Sequence, residues 1–128
     1  MNIKSPQSLV SDALKSVKTI SPEEALKLVN QNKCNLIDIR DLAELERFGR
    51  IEKSFHISRG LLEFSIYPES AYVKNMKLDI NKETVLFCAA GGRSALAAKT
   101  LKEMGFDNVS HIEGGFALMK QKGFKIKT

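Results

Sequence analysis

The chain has 128 residues, a net charge of +5 and 43% hydrophobic residues. This length and composition predict one globular domain with a sizeable hydrophobic core. No apolar run is long enough to predict a transmembrane helix, and the N-terminus lacks the apolar stretch of a secretory signal. We therefore expect a cytoplasmic protein that makes no membrane contact.

The positive charge is concentrated at the C-terminus. Residues 117–128 contain four of the 20 basic side chains and no acidic one, which leaves 16 basic and 15 acidic side chains in the rest of the chain. We expect residues 124–128 to form a solvated, partly frayed basic tail, and a nucleic-acid or membrane contact is the less favoured alternative. No stripe of basic and aromatic residues indicates a nucleic-acid partner.

The N-terminal part of the chain shows helical patterns around one short strand. Apolar residues recur at helical spacing over residues 6–17, which predicts an amphipathic helix that packs on the domain. A partner interface is the less favoured role for that helix. A short edge strand is expected at residues 18–20. Ser21 and Glu24, separated by Pro22 and Glu23, are typical of a helix N-terminus.

The next segment predicts two strands separated by a helix. Residues 35–39 are mostly apolar and are expected to form a buried strand. Asp41 and Glu44 then predict the N-terminal cap of a helix that ends at Gly49. A further strand is expected over residues 54–57.

The second half of the chain continues the alternation. Residues 60–76 are expected to be irregular and partly helical. A buried strand at residues 84–87 leads to a helix over residues 95–104, and a last strand at residues 109–112 precedes a short helix after Gly114-Gly115. The whole pattern predicts an α/β fold with a central, mainly parallel five-stranded sheet flanked by helices.

The segment after strand 84–87 is the most informative part of the sequence. It consists of Cys88, Ala89, Ala90, Gly91, Gly92, Arg93 and Ser94. A cysteine between a strand and a helix lies under backbone N–H groups that favour an anion, and therefore thiolate over thiol. Two glycines let the amides turn inward, and Arg93 adds a forked cation. The segment predicts a reactive sulfur that binds an anionic substrate; a plain buried cysteine would leave the glycines and the arginine unexplained.

This loop resembles the active-site loop of the rhodanese family of sulfurtransferases. Three further motifs of that family occur in order: Asp38-Ile39-Arg40 followed by Glu44, Gly49-Arg50-Ile51 before Ser54 to Ile57, and Gly105-Phe106 with Gly114-Gly115-Phe116. The resemblance covers residues 19–123. Residues 1–18 then form an N-terminal helical extension, and residues 124–128 form the basic tail.

The chain departs from the family pattern at a few positions. Arg50 and Glu52 stand where the family usually has histidine and proline. Leu118 and Met119 stand where an aromatic residue is common. These positions look structural, so the departures concern local packing.

The resemblance implies a thiosulfate sulfurtransferase-like enzyme. Cys88 would take a sulfur from a small anionic donor such as thiosulfate, hold it as a persulfide, and pass it to cyanide, a thiol or a protein. The amides of residues 89–94 and the cation of Arg93 would stabilise the negative charge. The reaction needs no metal and no organic cofactor.

Two other functions remain open. The domain could carry a persulfide to a partner protein without turnover on thiosulfate. It could also be a small phosphatase or arsenate reductase, since related proteins of those classes share the fold. Their loop is one residue longer than the four residues between Cys88 and Arg93, so this alternative is disfavoured.

Asp38, Arg40 and Glu44 are possible supporting residues. Asp38 and Arg40 end a strand at the sheet edge where Cys88 is also expected. Arg40 could bind the anion or pair with Glu44, and Asp38 could accept hydrogen bonds from the loop. The equally weighted alternative is that both residues only connect strand and helix.

A few other residues have possible roles that we consider less favoured than packing. Cys34 could be a resolving thiol, but a structural role is favoured. His56 and His111 lie in predicted strands, where packing is also favoured. Four residues before the active strand could wall a pocket, although core packing is the favoured interpretation: Phe64, Tyr67, Tyr72 and Met76.

Overall fold

A parallel sheet of five strands forms the centre of the protein. The computed structural model describes residues 1–128, and elements are numbered in chain order. Every neighbouring pair of strands in this sheet is parallel. The strand order across the sheet is β1 (Lys18–Ile20), β6 (Val109–Ile112), β5 (Glu83–Phe87), β2 (Cys34–Asp38) and β4 (Phe55–His56). The predicted fold class is confirmed.

Seven helices surround this sheet. They are α1 (Pro6–Leu14), α2 (Pro22–Asn30), α3 (Leu42–Phe48), α4 (Leu62–Ile66), α5 (Ala71–Met76), α6 (Gly92–Met104) and α7 (Gly115–Gln121). The predicted N-terminal helix is present but ends at Leu14, and Val17 packs against the core beyond it. Residues 60–76 are partly helical, as predicted. No helix combines the length and apolar character needed to cross a membrane.

The two faces of the sheet are buried in separate hydrophobic clusters. Leu86 and Cys88 contribute to the cluster under α4, α5 and α6, whereas Val85 and Phe87 contribute to the cluster under α2 and α7. This division follows from the two-residue period of a strand. Burial on both faces explains why β2 and β5 contain consecutive apolar residues, Leu36-Ile37 and Val85-Leu86-Phe87, rather than an alternating pattern.

The helix N-termini follow the predicted caps. The Ser21 hydroxyl accepts a hydrogen bond from Glu24 N at 3.1 Å, with Pro22 in the first helical position. At α3, Asp41 N donates to the Glu44 carboxylate at 2.9 Å. That contact holds Glu44 at the start of α3, which lies beyond the carboxyl end of β2.

The C-terminal tail is ordered, so the prediction of a frayed end is wrong. Strand β7 (Ile126–Lys127) pairs antiparallel with β3 (Arg50–Ile51), and Phe124 is buried in the core. Apolar Phe124 and Ile126 alternate with exposed lysines, which is a strand pattern that the charge count obscured. Gly49 permits this contact, because an added Cβ there would lie 2.8 Å from Lys127 O.

Candidate active site

Cys88 lies directly after β5, at the carboxyl end of the sheet. Its sulfur accepts hydrogen bonds from two backbone amides, Gly91 N at 3.2 Å and Ser94 N at 3.3 Å. The residue is 1% exposed. Two N–H groups directed at one sulfur form a site that stabilises negative charge on it.

The loop conformation depends on Gly91 and Gly115. Gly91 is the N-cap residue of α6 and has a φ of 108°, and this conformation directs its own N–H toward the sulfur. A Cβ on Gly115 would lie 2.4 Å from Cys88 O, so only glycine allows α7 to approach the loop. Phe116 N donates to Cys88 O at 2.8 Å, and Ala117 N donates to Ala89 O at 3.2 Å. The first turn of α7 therefore fixes the start of the loop.

The rest of the loop is partly open to solvent. Ala89, Gly92 and Arg93 are half-buried, Ala90 is exposed, and Ser94 is fully buried. None of these residues except Arg93 carries a charged side chain. Apart from the Arg93 guanidinium, the polar groups that the loop offers to a ligand are consequently backbone amides.

Arg93 forms an ion pair with Glu44. The guanidinium donates two hydrogen bonds to the carboxylate, at 2.8 and 2.9 Å. The hydrogen bond to Arg93 is the main cause that lowers the pKa of Glu44 to about 2, and the same contact raises the pKa of Arg93. The pair connects the N-terminus of α3 to the loop, and the Glu44 carboxylate compensates the charge of the loop's single cation.

Arg40 and Asp38 form a second, fully buried ion pair. The Arg40 side chain contacts both Asp38 oxygens, the shortest contact being 2.7 Å, and it donates to Gly49 O at 2.9 Å. Its guanidinium also lies 4.0 Å from the ring centroid of Phe116. The hypotheses that Arg40 pairs with Glu44 and that Asp38 accepts loop amides are wrong. The alternative that these residues connect strand and helix describes their contacts.

Ser94 connects the loop to a buried histidine. Its hydroxyl donates to Gly91 O at 3.2 Å and lies 2.9 Å from His111 Nδ1. The other imidazole nitrogen of His111 lies 2.8 Å from the Thr19 hydroxyl. Burial lowers the pKa of His111. Sequence reasoning treated His111 as a packing residue and missed its contact with the loop.

Cys34 lies far from Cys88 at the opposite end of the sheet. It begins β2 and pairs in register with Glu83, five residues before Cys88. That offset corresponds to about 16 Å along a strand. Burial, followed by the nearby Glu83 charge, raises the pKa of the Cys34 thiol to about 11. The position and protonation of Cys34 do not suit a resolving thiol.

Three of the four candidate pocket residues before the active strand lie outside the core. Phe64 is 80% exposed, and Tyr67 and Met76 are also exposed, so core packing is wrong for these three side chains. Tyr72 is half-buried and donates from its hydroxyl to His56 O at 2.8 Å. His56 in turn contacts Arg40 O at 2.7 Å through Nε2.

A groove of about 530 Å³ runs beside the loop between α1 and α6. Its walls include Val10 and Leu14 of the N-terminal helix, and Gly92, Arg93 and Leu96 of α6. The N-terminal helix α1 therefore packs on the domain as predicted, and it does so beside α6, the helix that begins in the cysteine loop.

Comparison with known proteins identifies relatives that cover most of the chain. A thiosulfate sulfurtransferase GlpE of Pseudomonas putida is 31% identical over 103 residues, which is 80% of this chain and 84% of that protein. The chain spans only 53% of an uncharacterized Synechocystis protein that is 30% identical over 106 residues.

Solved structures agree with these relatives in fold. A Rhodopseudomonas palustris protein of unknown function, described as a possible tyrosine phosphatase, is 39% identical with a TM-score of 0.86, covering 99% of this chain and 97% of that one. A homodimeric polysulfide-sulfur transferase of Wolinella succinogenes is 35% identical with a TM-score of 0.72, covering 92% and 83%. The model of the rhodanese-like domain matches residues 21–122. The chain therefore belongs to the rhodanese-like domain family.

Proposed function

We propose that the protein is a sulfurtransferase in which Cys88 is the nucleophile and carries sulfur as a persulfide. The observation that carries the proposal is the pair of amides, Gly91 N and Ser94 N, at 3.2 and 3.3 Å from the Cys88 sulfur. These donors stabilise the attacking thiolate, and they stabilise the same thiolate again when it leaves. The sulfurtransferases among the relatives support the same chemistry.

The first half-reaction loads the cysteine. The Cys88 thiolate attacks the outer sulfur of an anionic donor such as thiosulfate, and a new S–S bond forms. The donor's own S–S bond breaks, and sulfite leaves with the electron pair. Two amides of the loop already donate to the Cys88 sulfur, and we propose that the loop residues Ala89, Ala90, Gly91, Gly92, Arg93 and Ser94 together bind the transferred sulfur and its charge.

The second half-reaction discharges the persulfide. A nucleophile such as cyanide, a thiol or a cysteine of a partner protein attacks the outer sulfur. Cys88 leaves as a thiolate and returns to its two amide donors. The exposed position of Ala90 and the half-exposed Arg93 leave one side of the loop accessible to such an acceptor. A reducing compartment such as the cytoplasm would keep the thiol free, and we propose that location.

The charge of the loop bears on the donor. Arg93 is compensated by Glu44, so backbone amides supply most of the anion binding. We propose that Arg93 acts by holding the loop against α3 and by adding a partly compensated positive potential. Asp38 and Arg40 support the site indirectly, because Arg40 packs on Phe116, whose amide binds Cys88 O.

A phosphatase is the second candidate, because the Rhodopseudomonas palustris structure is described as a possible tyrosine phosphatase. Two features of this chain argue against that chemistry. Only four residues separate Cys88 from Arg93, one fewer than in the phosphatase loops of this fold. The carboxylate beside Arg93 is Glu44, whose pKa of about 2 keeps it ionised and unsuited to act as a general acid.

Intact mass spectrometry tests the proposal. The purified protein is treated with thiosulfate and then with cyanide, beside Cys88→Ser and the matched control Cys34→Ser. We expect the wild type and Cys34→Ser to gain one sulfur atom and to release it as thiocyanate, and Cys88→Ser to gain none. A sulfur that cyanide cannot remove would favour the carrier function. No gain with thiosulfate or polysulfide, together with hydrolysis of a phosphate ester, would overturn the proposal.

A further inference from the structure

A chain of hydrogen bonds leads from the cysteine loop through the protein to the edge strand. Ser94 N donates to the Cys88 sulfur, the Ser94 hydroxyl contacts His111 Nδ1 at 2.9 Å, and His111 Nε2 contacts the Thr19 hydroxyl at 2.8 Å. Ser94 is 0% exposed and His111 is 2% exposed. A buried chain of this kind is stable only if every donor meets an acceptor.

The strand register brings these groups together. His111 pairs with Thr19 on β1 and with Leu86 on β5, and paired residues of parallel strands point to the same face. Leu86 and Cys88 lie two residues apart and both belong to the cluster under α6. The imidazole therefore lies between the sheet and the first turn of α6, where the Ser94 side chain meets it.

The tautomer of His111 depends on which acceptor receives the proton of the Ser94 hydroxyl. Burial lowers the pKa of His111, so the neutral imidazole carries one N–H at neutral pH. The Ser94 hydroxyl has one proton, and its two possible acceptors are Gly91 O at 3.2 Å and His111 Nδ1 at 2.9 Å. When that proton goes to Gly91 O, Nδ1 carries the imidazole proton and donates to Ser94, and the Thr19 hydroxyl donates to Nε2. The opposite tautomer would take the Ser94 proton away from Gly91 O.

The contact between Ser94 and Gly91 affects the sulfur directly. Gly91 and Ser94 are the two residues whose amides donate to the Cys88 sulfur. The Ser94 hydroxyl contacts the carbonyl oxygen of Gly91, so it connects these two residues to each other. Fixing that hydroxyl therefore fixes the relative position of both amides.

We infer that His111, protonated on Nδ1, is a positioning residue that holds the Ser94 hydroxyl on Gly91 O and thereby aligns both amides with the Cys88 sulfur. This inference rests on the proposed role of Cys88 as the reacting thiol. His111 does not touch the sulfur. It acts through Ser94, and it adds no charge to the site while it is neutral.

The tautomer is tested in the unmodified protein. In ¹⁵N-labelled protein at pH 7.5, imidazole nitrogen shifts and their couplings to ring protons identify which nitrogen carries the proton. We expect His111 to be the Nδ1–H form. His56, whose Nε2 contacts Arg40 O at 2.7 Å, serves as the internal reference for the opposite, Nε2–H form. A protonated Nε2 on His111 would overturn the inference.

The positioning role is tested with two amide substitutions. Asparagine places its NH₂ near the position of Nδ1, whereas glutamine places it near Nε2. We expect His111→Asn to retain the wild-type rate of Cys88 alkylation by iodoacetamide within about twofold, and His111→Gln and His111→Leu to lose on the order of tenfold, as for one charge-assisted hydrogen bond. Peptide mapping assigns the modified cysteine.

Amide hydrogen exchange at Gly91 and Ser94 provides the second readout. We expect faster exchange in His111→Gln than in His111→Asn at equal thermal stability. Equal alkylation and equal exchange in these two variants would overturn the inference. Persulfide formation is measured on the same proteins. If the wild type transfers no sulfur but the variants show the expected alkylation rates, the proposed function is rejected and the positioning role of His111 stands.

Discussion

The two cysteines of this protein lie at opposite ends of two adjacent strands and are both buried, yet their surroundings differ in kind. Cys34 begins β2, and burial together with Glu83 raises the pKa of its thiol to about 11. Cys88 follows β5, and its sulfur accepts two backbone amide hydrogen bonds. Both thiols are buried, so burial alone does not distinguish them. The two sites differ in the amide donors at the Cys88 sulfur and in the Glu83 charge near Cys34.

The largest expected effect is the difference in reactivity between the two thiols. At pH 8 we expect iodoacetamide to modify Cys88 at least about a hundredfold faster than Cys34, because a thiol with a pKa of about 11 has only about a thousandth of its population ionised. Peptide mapping at several times measures both rates in one sample.

The same reaction in urea is the control. Unfolding exposes both thiols and should bring the two rates within a few fold of each other. Comparable rates in the native protein would contradict the contrast between the two sites.

The two ion pairs next to the site, in contrast to the two cysteines, differ in burial. Arg40 and Asp38 are almost fully buried, whereas the side chains of Arg93 and Glu44 are 39% and 25% exposed. We expect Arg40→Met to lower the free energy of unfolding by about 3–5 kcal/mol, since it leaves the Asp38 carboxylate buried without a partner. Arg93→Met is the matched control.

Urea denaturation of both variants provides the measurement. A loss of less than about 1 kcal/mol for Arg40→Met would show that Asp38 finds another partner or takes up a proton. Equal losses of unfolding free energy in the two arginine variants would show that the buried pair contributes no more to stability than the half-exposed pair.

The fold and the cysteine loop could be predicted because their information is local. Buried strands such as β5 and the two glycines after Cys88 are recognisable from short stretches of sequence. The partner of Glu44 could not be predicted in this way, because Arg93 reaches it only when β2 and β5 are neighbours. The role of His111 likewise depends on the register of β6 against β5.

The C-terminal strand illustrates a different limit. Its apolar residues, Phe124 and Ile126, are only two, and four lysines surround them in the last twelve residues. An alternation with only two apolar residues is too short to predict a strand when most of its neighbours are lysines. The strand forms because β3 provides a partner and Phe124 enters the core.

A smaller effect should appear at alkaline pH and come from Cys34. The folded thiol ionises at a pKa of about 11 and the unfolded thiol near its ordinary 9.0. Because the folded pKa is raised, stability is retained below pH 9 and is lost as the pH rises towards 11. The loss should be about 2–3 kcal/mol at 1.36 kcal/mol for each pKa unit.

The difference between wild type and Cys34→Ala isolates this effect from lysine and tyrosine ionisation. Urea unfolding at pH 8 and pH 11 should show a smaller alkaline loss for the variant. An equal loss in both proteins would contradict the raised pKa of Cys34.

The smallest expected effect concerns the half-exposed pair at acidic pH. Glu44 has a folded pKa of about 2 against an ordinary 4.5. Because the folded pKa is lowered, its contribution to stability is present above pH 4.5 and is lost as the pH falls towards 2. Solvent screening limits the contribution of such a pair to below about 1 kcal/mol. The free energies of unfolding of wild type and Arg93→Met should therefore differ slightly at pH 6 and converge by pH 2, whereas a gap that persists at pH 2 would mean that Arg93 stabilises the loop by packing rather than by its charge.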